Sequence, residues 1–316
     1  MSNSAAPVLV VVDRADEEGY ALARGRRLAQ ALDAPLELFA VEFDQAMEGS
    51  HFRVTERLEA ARSARVDASG AWLESLARPL RAEGLQVGVA AVYANPPHDA
   101  VTRRALATRA LVTVLRTQHH RWLARATLSA ADWQLIRLCP APLLLAKGRP
   151  WPEQPHLLAA VDPSHRDDRH ALLDHAILDL VQRLAGGLGA QASVAHCVLS
   201  MAALESTAAL AMMPEALGAA PEDYAAELHR QARENVLALL ARHGMAASSL
   251  RLLEGRPERE LPRLAAELGA DVLVTGGISR SRVEQVFIGG TAERLLDHVD
   301  CDLLVVKPPG FTCPLA

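Results

Sequence analysis

The chain has 316 residues, half of them apolar, and 33 lysine and arginine residues against 38 aspartate and glutamate residues leave a net charge of −5. This length suffices for two hydrophobic cores of ordinary size. The interleaved charges provide no basic tract for nucleic acid, and no apolar stretch approaches the roughly 20 residues that span a membrane. Since the first residues also lack the features of a secretory signal, we expect a cytoplasmic protein without nucleic-acid or membrane partners.

Short apolar runs that have the character of strands alternate with longer helical stretches, a pattern typical of a parallel α/β fold. In the first half the predicted strands span residues 8–12, 36–41, 86–93, 110–115 and 142–146. In the second half they span residues 157–161, 192–198, 249–253, 271–274 and 303–306. Five strands occur twice in the same order, which indicates an internal duplication.

The two copies share sequence landmarks at their first and last strands. The run VLVVVD ending at Asp13 is repeated as LLAAVD ending at Asp162, and PLLLAK ending at Lys147 is repeated as DLLVVK ending at Lys307. Between the copies, residues 148–155 contain three prolines and a glycine, which stop both strands and helices. The sequence therefore predicts domains at 1–148 and 155–310, each with a sheet covered by helices on both faces and a ligand site beyond the strands' carboxyl ends.

The strongest candidate for a ligand site follows the fourth strand of the second half. There the chain runs TGGISRSRVEQVFIGGTAERLLDHV, with Gly276, Gly277, Gly289 and Gly290 around an arginine-bearing stretch. Glycines allow the backbone to approach a ligand closely, and a helix starting near Thr291 would direct its unpaired N–H groups at an anion. From residue types alone, a phosphate-binding loop and a simple strand-to-helix connection remain equally good interpretations.

This segment resembles the signature ending of universal stress protein domains, G-x2-G-x9-G-[ST], which in that family lines the triphosphate and ribose of bound ATP. Residues 131–153, ADWQLIRLCPAPLLLAKGRPWPE, are similar to tandem members of the E type. The likeness covers residues 7–308. It implies two flavodoxin-like, adenine-nucleotide α-hydrolase-like domains, each a five-stranded parallel sheet of order 3-2-1-4-5 with helices on both faces. It also implies that Asp162 lies at the adenine and that Val198, which ends the second strand, lies nearby.

The chain departs from the family pattern at two positions of the loop. Ser279 stands where the family has its second glycine, and Gly290 replaces the hydroxyl residue that would contact a phosphate. A serine at positive φ costs about 1 kcal/mol more than glycine, and a lost hydrogen bond to a charged group costs about 1.5–3 kcal/mol. Arg280 and Arg282 offer bidentate donors to phosphate oxygens in return. We therefore expect weak binding of ATP or another adenine nucleotide, with no metal except nucleotide-bound magnesium.

The corresponding segment of the first half, residues 111–133, contains no glycine. We interpret the first half as a structural partner that forms an intramolecular pseudo-dimer with the second half, because each half has an apolar last strand that needs covering. The family resemblance also suggests a homodimer of whole chains.

Other clusters have simpler interpretations. The histidines and aspartates between residues 164 and 175 include metal-ligand types, but the segment opens a helix, where Ser and Asp cap free N–H groups. The four cysteines form no Cys-x-x-Cys pair and are interpreted as reduced, mostly buried thiols. Ser200 and Ser206 lack a nucleophile elbow, which disfavours a serine hydrolase.

The leading hypothesis is a stress-response protein that binds a small ligand, an adenine nucleotide being the expected one, without clear catalytic machinery. The first alternative is a slow ATPase or ATP-dependent enzyme, for which Glu284 is the nearest carboxylate in the sequence. The second alternative is a carrier of an apolar or lipid-like molecule. It would use the alanine- and methionine-rich insert at 200–220, which is otherwise explained as a helix packed on the sheet.

Overall fold

The computed structural model describes residues 5–16, 18–47, 55–117, 130–163, 168–198, 221–277 and 298–316. The first half begins with β1 (Val8–Val11), α1 (Tyr20–Leu32), β2 (Leu36–Glu42) and α2 (Thr55–Ala82). It continues with β3 (Val87–Tyr93), α3 (Pro97–Thr108), β4 (Val112–Arg116), α4 (Ala130–Leu138) and β5 (Leu143–Ala146). Strands and helices alternate throughout, as the sequence pattern predicts.

The second half repeats this alternation. It comprises β6 (His156–Ala160), α5 (Asp168–Leu188), β7 (Gln191–Val198), α6 (Pro221–Arg242), β8 (Leu250–Glu254), α7 (Pro257–Glu267), β9 (Val272–Gly276) and β10 (Asp302–Val306). All ten predicted strands are confirmed, and their ends differ from the predicted ones by at most two residues. In the part of the chain that the structure describes, no helix combines the length and apolarity needed to cross a membrane.

The strands form a ten-stranded sheet of order β3-β2-β1-β4-β5-β10-β9-β6-β7-β8. Within each half the strands are parallel and follow the order 3-2-1-4-5, which confirms the predicted topology. In the first half, β2 and β3 lie on one side of β1, and β4 and β5 lie on the other side. In the second half, β7 and β8 likewise lie on one side of β6, and β9 and β10 lie on the other. The strand order therefore switches side between β1 and β4 and between β6 and β9. Ligands of open α/β sheets bind beyond the carboxyl ends of the strands at such switch points.

The two halves are joined by their last strands. β5 and β10 pair antiparallel, with Leu144 opposite Leu304 at the centre of the register. The pairing confirms the predicted contact between the apolar last strands, and it makes one continuous mixed sheet instead of two separate ones. Unpaired N–H and C=O groups on two exposed apolar edges would be open to association with other chains, and this pairing removes both edges.

Hydrophobic side chains fill both faces of the continuous sheet. Val8 and Val10 belong to one core, whereas Leu9 belongs to the other, as expected from the alternation of side chains along a strand. At the junction, Leu144 and Leu304 extend the first core across both halves. Each core therefore includes residues of both halves, so the halves are packed as one body.

A buried ion pair lies at this junction. Arg24 of α1 donates from Nε to Asp302 Oδ2 of β10 at 2.6 Å, and both residues are 2% exposed. The other carboxylate oxygen of Asp302 accepts the backbone N–H of Lys147 at 2.8 Å. The Arg24 guanidinium also donates to the carbonyl oxygen of Arg149 and lies 4.6 Å above the ring of Trp151. Arg24 thus binds the linker and the second half at once.

Two lysines at matching positions add polar contacts across the junction. Lys147, after β5, donates from Nζ to the carbonyl oxygen of Val299 at 2.6 Å. Lys307, after β10, donates to the carbonyl oxygens of Gly277 at 3.1 Å and of Arg137 at 3.3 Å. Burial lowers the pKa of Lys307 to about 8. The repeated terminal lysine of the sequence therefore has a structural role in both copies.

We predict that Arg24→Met destabilises the chain by about 3–5 kcal/mol, because it leaves the carboxylate of Asp302 buried without its cation. Methionine retains most of the apolar contact with Trp151. The lost free energy of unfolding therefore reflects the missing positive charge more than the change in side-chain volume. Chemical denaturation measures the change. Arg230→Met is the matched control, since Arg230 pairs with Glu227 and Glu234 on the exposed face of α6 and should change stability little. Equal effects of the two substitutions would contradict the role given to the buried pair.

Candidate functional site

The carboxyl edge of the second half gathers the described residues that the sequence indicates as a ligand site. Asp162 follows β6, Val198 ends β7, and Gly276 and Gly277 end and follow β9. β6 pairs in parallel with both β7 and β9, so these carboxyl ends lie at one edge of the sheet. The remaining predicted residues of the site lie outside the described residues: Ser279, Arg280, Arg282, Gly289, Gly290 and Thr291.

The structure gives a packing reason for the glycine pair at the end of β9. A Cβ atom at Gly276 would lie 2.5 Å from Cδ2 of Leu173 on α5, and one at Gly277 would lie 2.6 Å from Cγ1 of Val305 on β10. Glycine at these positions therefore lets α5 and β10 pack closely against the end of β9. Sequence reasoning considered a phosphate-binding loop and a simple strand-to-helix connection for this pair, and missed the packing requirement.

Asp162 lies at the switch point of the second half, just after β6, which pairs with β7 on one side and β9 on the other. Its side chain is 32% exposed, and Oδ1 lies 3.8 Å from Nδ1 of His196 on β7. His196 is buried, and its Nδ1 lies 3.0 Å from the carbonyl oxygen of Val161. Because a carbonyl oxygen only accepts, this ring nitrogen carries the proton. The carboxylate of Asp162 is thus both held beside a polar ring and accessible to a ligand.

Asp174 of α5 is hydrogen-bonded to the backbone of Asp162. Its Oδ1 accepts the backbone N–H of Asp162 at 3.1 Å, while no described residue forms a hydrogen bond with its buried Oδ2. Burial raises the pKa of Asp174 to about 7, and the negative charge of Asp162 adds to the rise. Sequence reasoning placed Asp174 in a helix-opening segment. A carboxylate between the inward-facing Leu173 and Ile177 of an apolar helix face was the available signal for a buried acid.

The first half differs at the matching switch point. Arg116 ends β4, as Gly276 ends β9. Its Nη1 donates to the carbonyl oxygen of Ala15 at 3.0 Å and lies 3.1 Å from Oδ1 of Asp16, so the side chain bridges β4 to the loop after β1. The guanidinium also lies 5.7 Å from the ring centroid of Tyr20. Arg116 therefore links the carboxyl end of β4 to the loop after β1, where the second half has Gly276 instead of an arginine.

Neither a metal site of three or more side-chain ligands nor a reactive thiol finds support among the described residues. Among them, no three or more histidine, cysteine, aspartate or glutamate side chains are arranged to hold a metal ion. All four cysteines are free and three of them are buried, which confirms the expectation of reduced, mostly buried thiols. Burial raises the pKa of Cys139 to about 11 and those of Cys197 and Cys301 to about 12, so these thiols remain protonated at neutral pH.

The model of the universal stress protein family matches the chain twice, over residues 6–147 and 155–307. The chain belongs to the universal stress protein family. Universal stress protein E of Escherichia coli strain K12 is 26% identical over 309 residues, which covers 98% of this chain and 96% of the relative. Universal stress protein E of Photorhabdus laumondii is 25% identical over 319 residues, covering 98% and 96%.

Solved structures agree with this assignment. A functionally unknown protein from Pseudomonas aeruginosa PAO1 is 27% identical, with a TM-score of 0.74 over 98% of this chain and 95% of that one. A universal stress protein from Archaeoglobus fulgidus is 12% identical, with a TM-score of 0.62 over 95% and 98%, and this likeness concerns the fold alone. The tandem arrangement of universal stress protein domains is therefore shared along nearly the whole length of the chain.

We predict that Asp174→Asn makes this universal stress protein relatively more stable as the pH rises. In the folded protein the pKa of Asp174 is about 7, against an ordinary value of 3.8. The native state therefore holds this proton more tightly than the unfolded chain, and the wild type loses stability between about pH 4 and pH 7 through this group. The stability difference between variant and wild type should grow across that window, by up to about 4 kcal/mol, and level off above it. Urea denaturation at a series of pH values measures the difference, and a difference independent of pH would contradict the assignment.

Proposed function

We propose that the second half binds an adenine nucleotide weakly, at one site per chain, and that this occupancy is the protein's stress-related function. In this proposal Asp162 and Val198 receive the base, and residues 276–291 receive the phosphates. The observation that carries the proposal is the contrast between the two switch points. At one of them Gly276 ends the fourth strand at the same edge as the partly exposed Asp162. At the other, Arg116 ends the fourth strand and its side chain reaches the loop after β1.

The chemistry of the loop supports a phosphorylated ligand. Gly289 and Gly290 precede Thr291 in the sequence, and Arg280 and Arg282 supply two guanidinium groups. Backbone N–H groups near glycines, together with arginine side chains, are the usual partners of phosphate oxygens. Ser279 and Gly290 differ from the family pattern, which supports weak rather than tight binding.

The proposal is one of binding, because no described residue is assigned a catalytic role. His196 and Asp174 are buried and contact the segment that bears Asp162. Nδ1 of His196 lies 3.0 Å from the carbonyl oxygen of Val161, and Asp174 accepts the backbone N–H of Asp162. The two alternatives, a slow ATPase that uses Glu284 and an apolar-ligand carrier that uses residues 200–220, depend on residues outside the described ones. The domain limits 1–148 and 155–310, the cytoplasmic location and a homodimer of whole chains remain predictions.

We predict that Asp162→Ala weakens ATP binding at least tenfold, whereas Asp13→Ala, its counterpart after β1, leaves binding unchanged. Asp162 is proposed to contact the base, and loss of a hydrogen bond to a charged group costs about 1.5–3 kcal/mol. Isothermal titration calorimetry of wild type and both variants measures affinity and stoichiometry, with thermal unfolding as a check of the fold. Equal loss in both variants, or two sites per wild-type chain, would contradict the proposal.

The loop is tested separately. Gly289→Val should abolish nucleotide binding, because bulk at this position keeps the backbone away from the phosphates. Ser279→Gly should strengthen binding by about 1 kcal/mol if serine is strained there. The same titrations measure both effects. Unchanged affinity in Gly289→Val would show that the loop does not hold the ligand, and phosphate release at a steady rate from ATP would favour the ATPase alternative.

A further inference from the structure

A pair of histidines outside the nucleotide site lies between α5 and the end of α6. Nδ1 of His175 lies 2.6 Å from Nε2 of His243, and their ring centroids are 4.9 Å apart. The side chain of His243 is 7% exposed. The two residues are 68 positions apart in the sequence, so sequence patterns within the helix opening at 164–175 did not indicate the pair.

An aspartate determines which nitrogen of His243 carries a proton. Oδ1 of Asp179 lies 3.0 Å from Nδ1 of His243, and an ionised carboxylate only accepts hydrogen bonds. Nδ1 of neutral His243 therefore carries the proton, and Nε2 presents its lone pair to His175. The side-chain amide of Gln182 donates to the carbonyl oxygen of His243 and holds the backbone of this residue against α5.

The arrangement matches part of a metal site. Histidines that bind metals usually donate their other ring N–H to a carboxylate, as His243 does to Asp179. Burial lowers the pKa of His175. The nearby His243 and Arg242 lower it further, whereas the negative charge of Asp179 acts in the opposite direction. The direction of this shift favours the neutral ring, which is the form of histidine that binds a cation.

We propose that His175 and His243 form a two-histidine site for a divalent transition cation such as Zn²⁺ or Cu²⁺, with Asp179 orienting His243 and water completing the coordination. In the metal-free pair, one proton on His175 Nδ1 lies between the two rings. On binding, this proton moves through solvent to Nε2 of the same ring, the cation takes both facing lone pairs, and no net proton is released. His175 is partly exposed, so the cation reaches the pair from the side of this ring.

The geometry sets the affinity expected of this site. Ligating nitrogens in a tetrahedral zinc site are roughly 3.3 Å apart, so the rings must separate by about 0.7 Å from their present 2.6 Å. Two protein ligands and the positive charge of Arg242 favour modest affinity. Copper should bind more tightly than zinc, in the order usual for nitrogen ligands.

Competition of ZnCl₂ and CuCl₂ against a chromophoric chelator tests the site in the full chain. The wild type should bind one equivalent more than His175→Gln and His243→Gln. His229→Gln, on α6 outside the pair, is the matched control and should behave as the wild type does. Asp179→Asn should weaken binding about tenfold, and the extra equivalent should be lost under acidic conditions that protonate the histidines.

Equal metal binding by the wild type and by both pair variants would overturn the proposal and leave a proton-sharing pair. Because a substitution at a buried ring can impair folding, a second measurement uses the wild type alone. Anomalous diffraction from crystals grown with zinc should place a zinc ion between His175 and His243. Zinc bound only at other histidines would equally overturn the proposal.

Discussion

The antiparallel pairing of β5 with β10 is the contact on which the rest of the structure depends. It converts two apolar sheet edges into one buried junction, with Leu144 opposite Leu304. Hydrophobic pairing alone does not specify how the linker lies across this junction. The ion pair between Arg24 and Asp302 does so, since Arg24 also binds the linker carbonyl of Arg149. Two repeats of one fold thus become a single body with two inequivalent halves.

The two halves differ at their carboxyl edges. Residues 111–133 of the first half contain no glycine, whereas β9 of the second half ends in a glycine. At the carboxyl edge of the first half, Arg116 links β4 to the loop after β1. At the matching position the second half keeps Gly276, against which Leu173 of α5 packs. The same topology therefore carries different residues at the two carboxyl edges, and we propose that only the edge around Asp162 binds the nucleotide.

The strands could be predicted from the sequence because each is a near-continuous apolar run, which is a local signal. The duplication could be predicted because landmarks recur at matching positions, with Asp13 matching Asp162 and Lys147 matching Lys307. The polar contacts that define the site could not. The hydrogen bond from Asp162 to Asp174 depends on how α5 packs over β6. Likewise, the absence of glycine in residues 111–133 predicted that the first half lacks the loop, but not that Arg116 reaches Asp16. Such contacts follow from tertiary packing, which a pattern along the chain does not encode directly.

Photoaffinity labelling of the intact chain with an azido-adenine nucleotide, followed by peptide mapping, tests the functional inequivalence of the halves most directly. Because the first half lacks the glycine loop, labelled peptides are expected only within residues 155–310, with labelling suppressed by excess ATP. Labelling within residues 1–148 that excess ATP also suppresses would contradict the account.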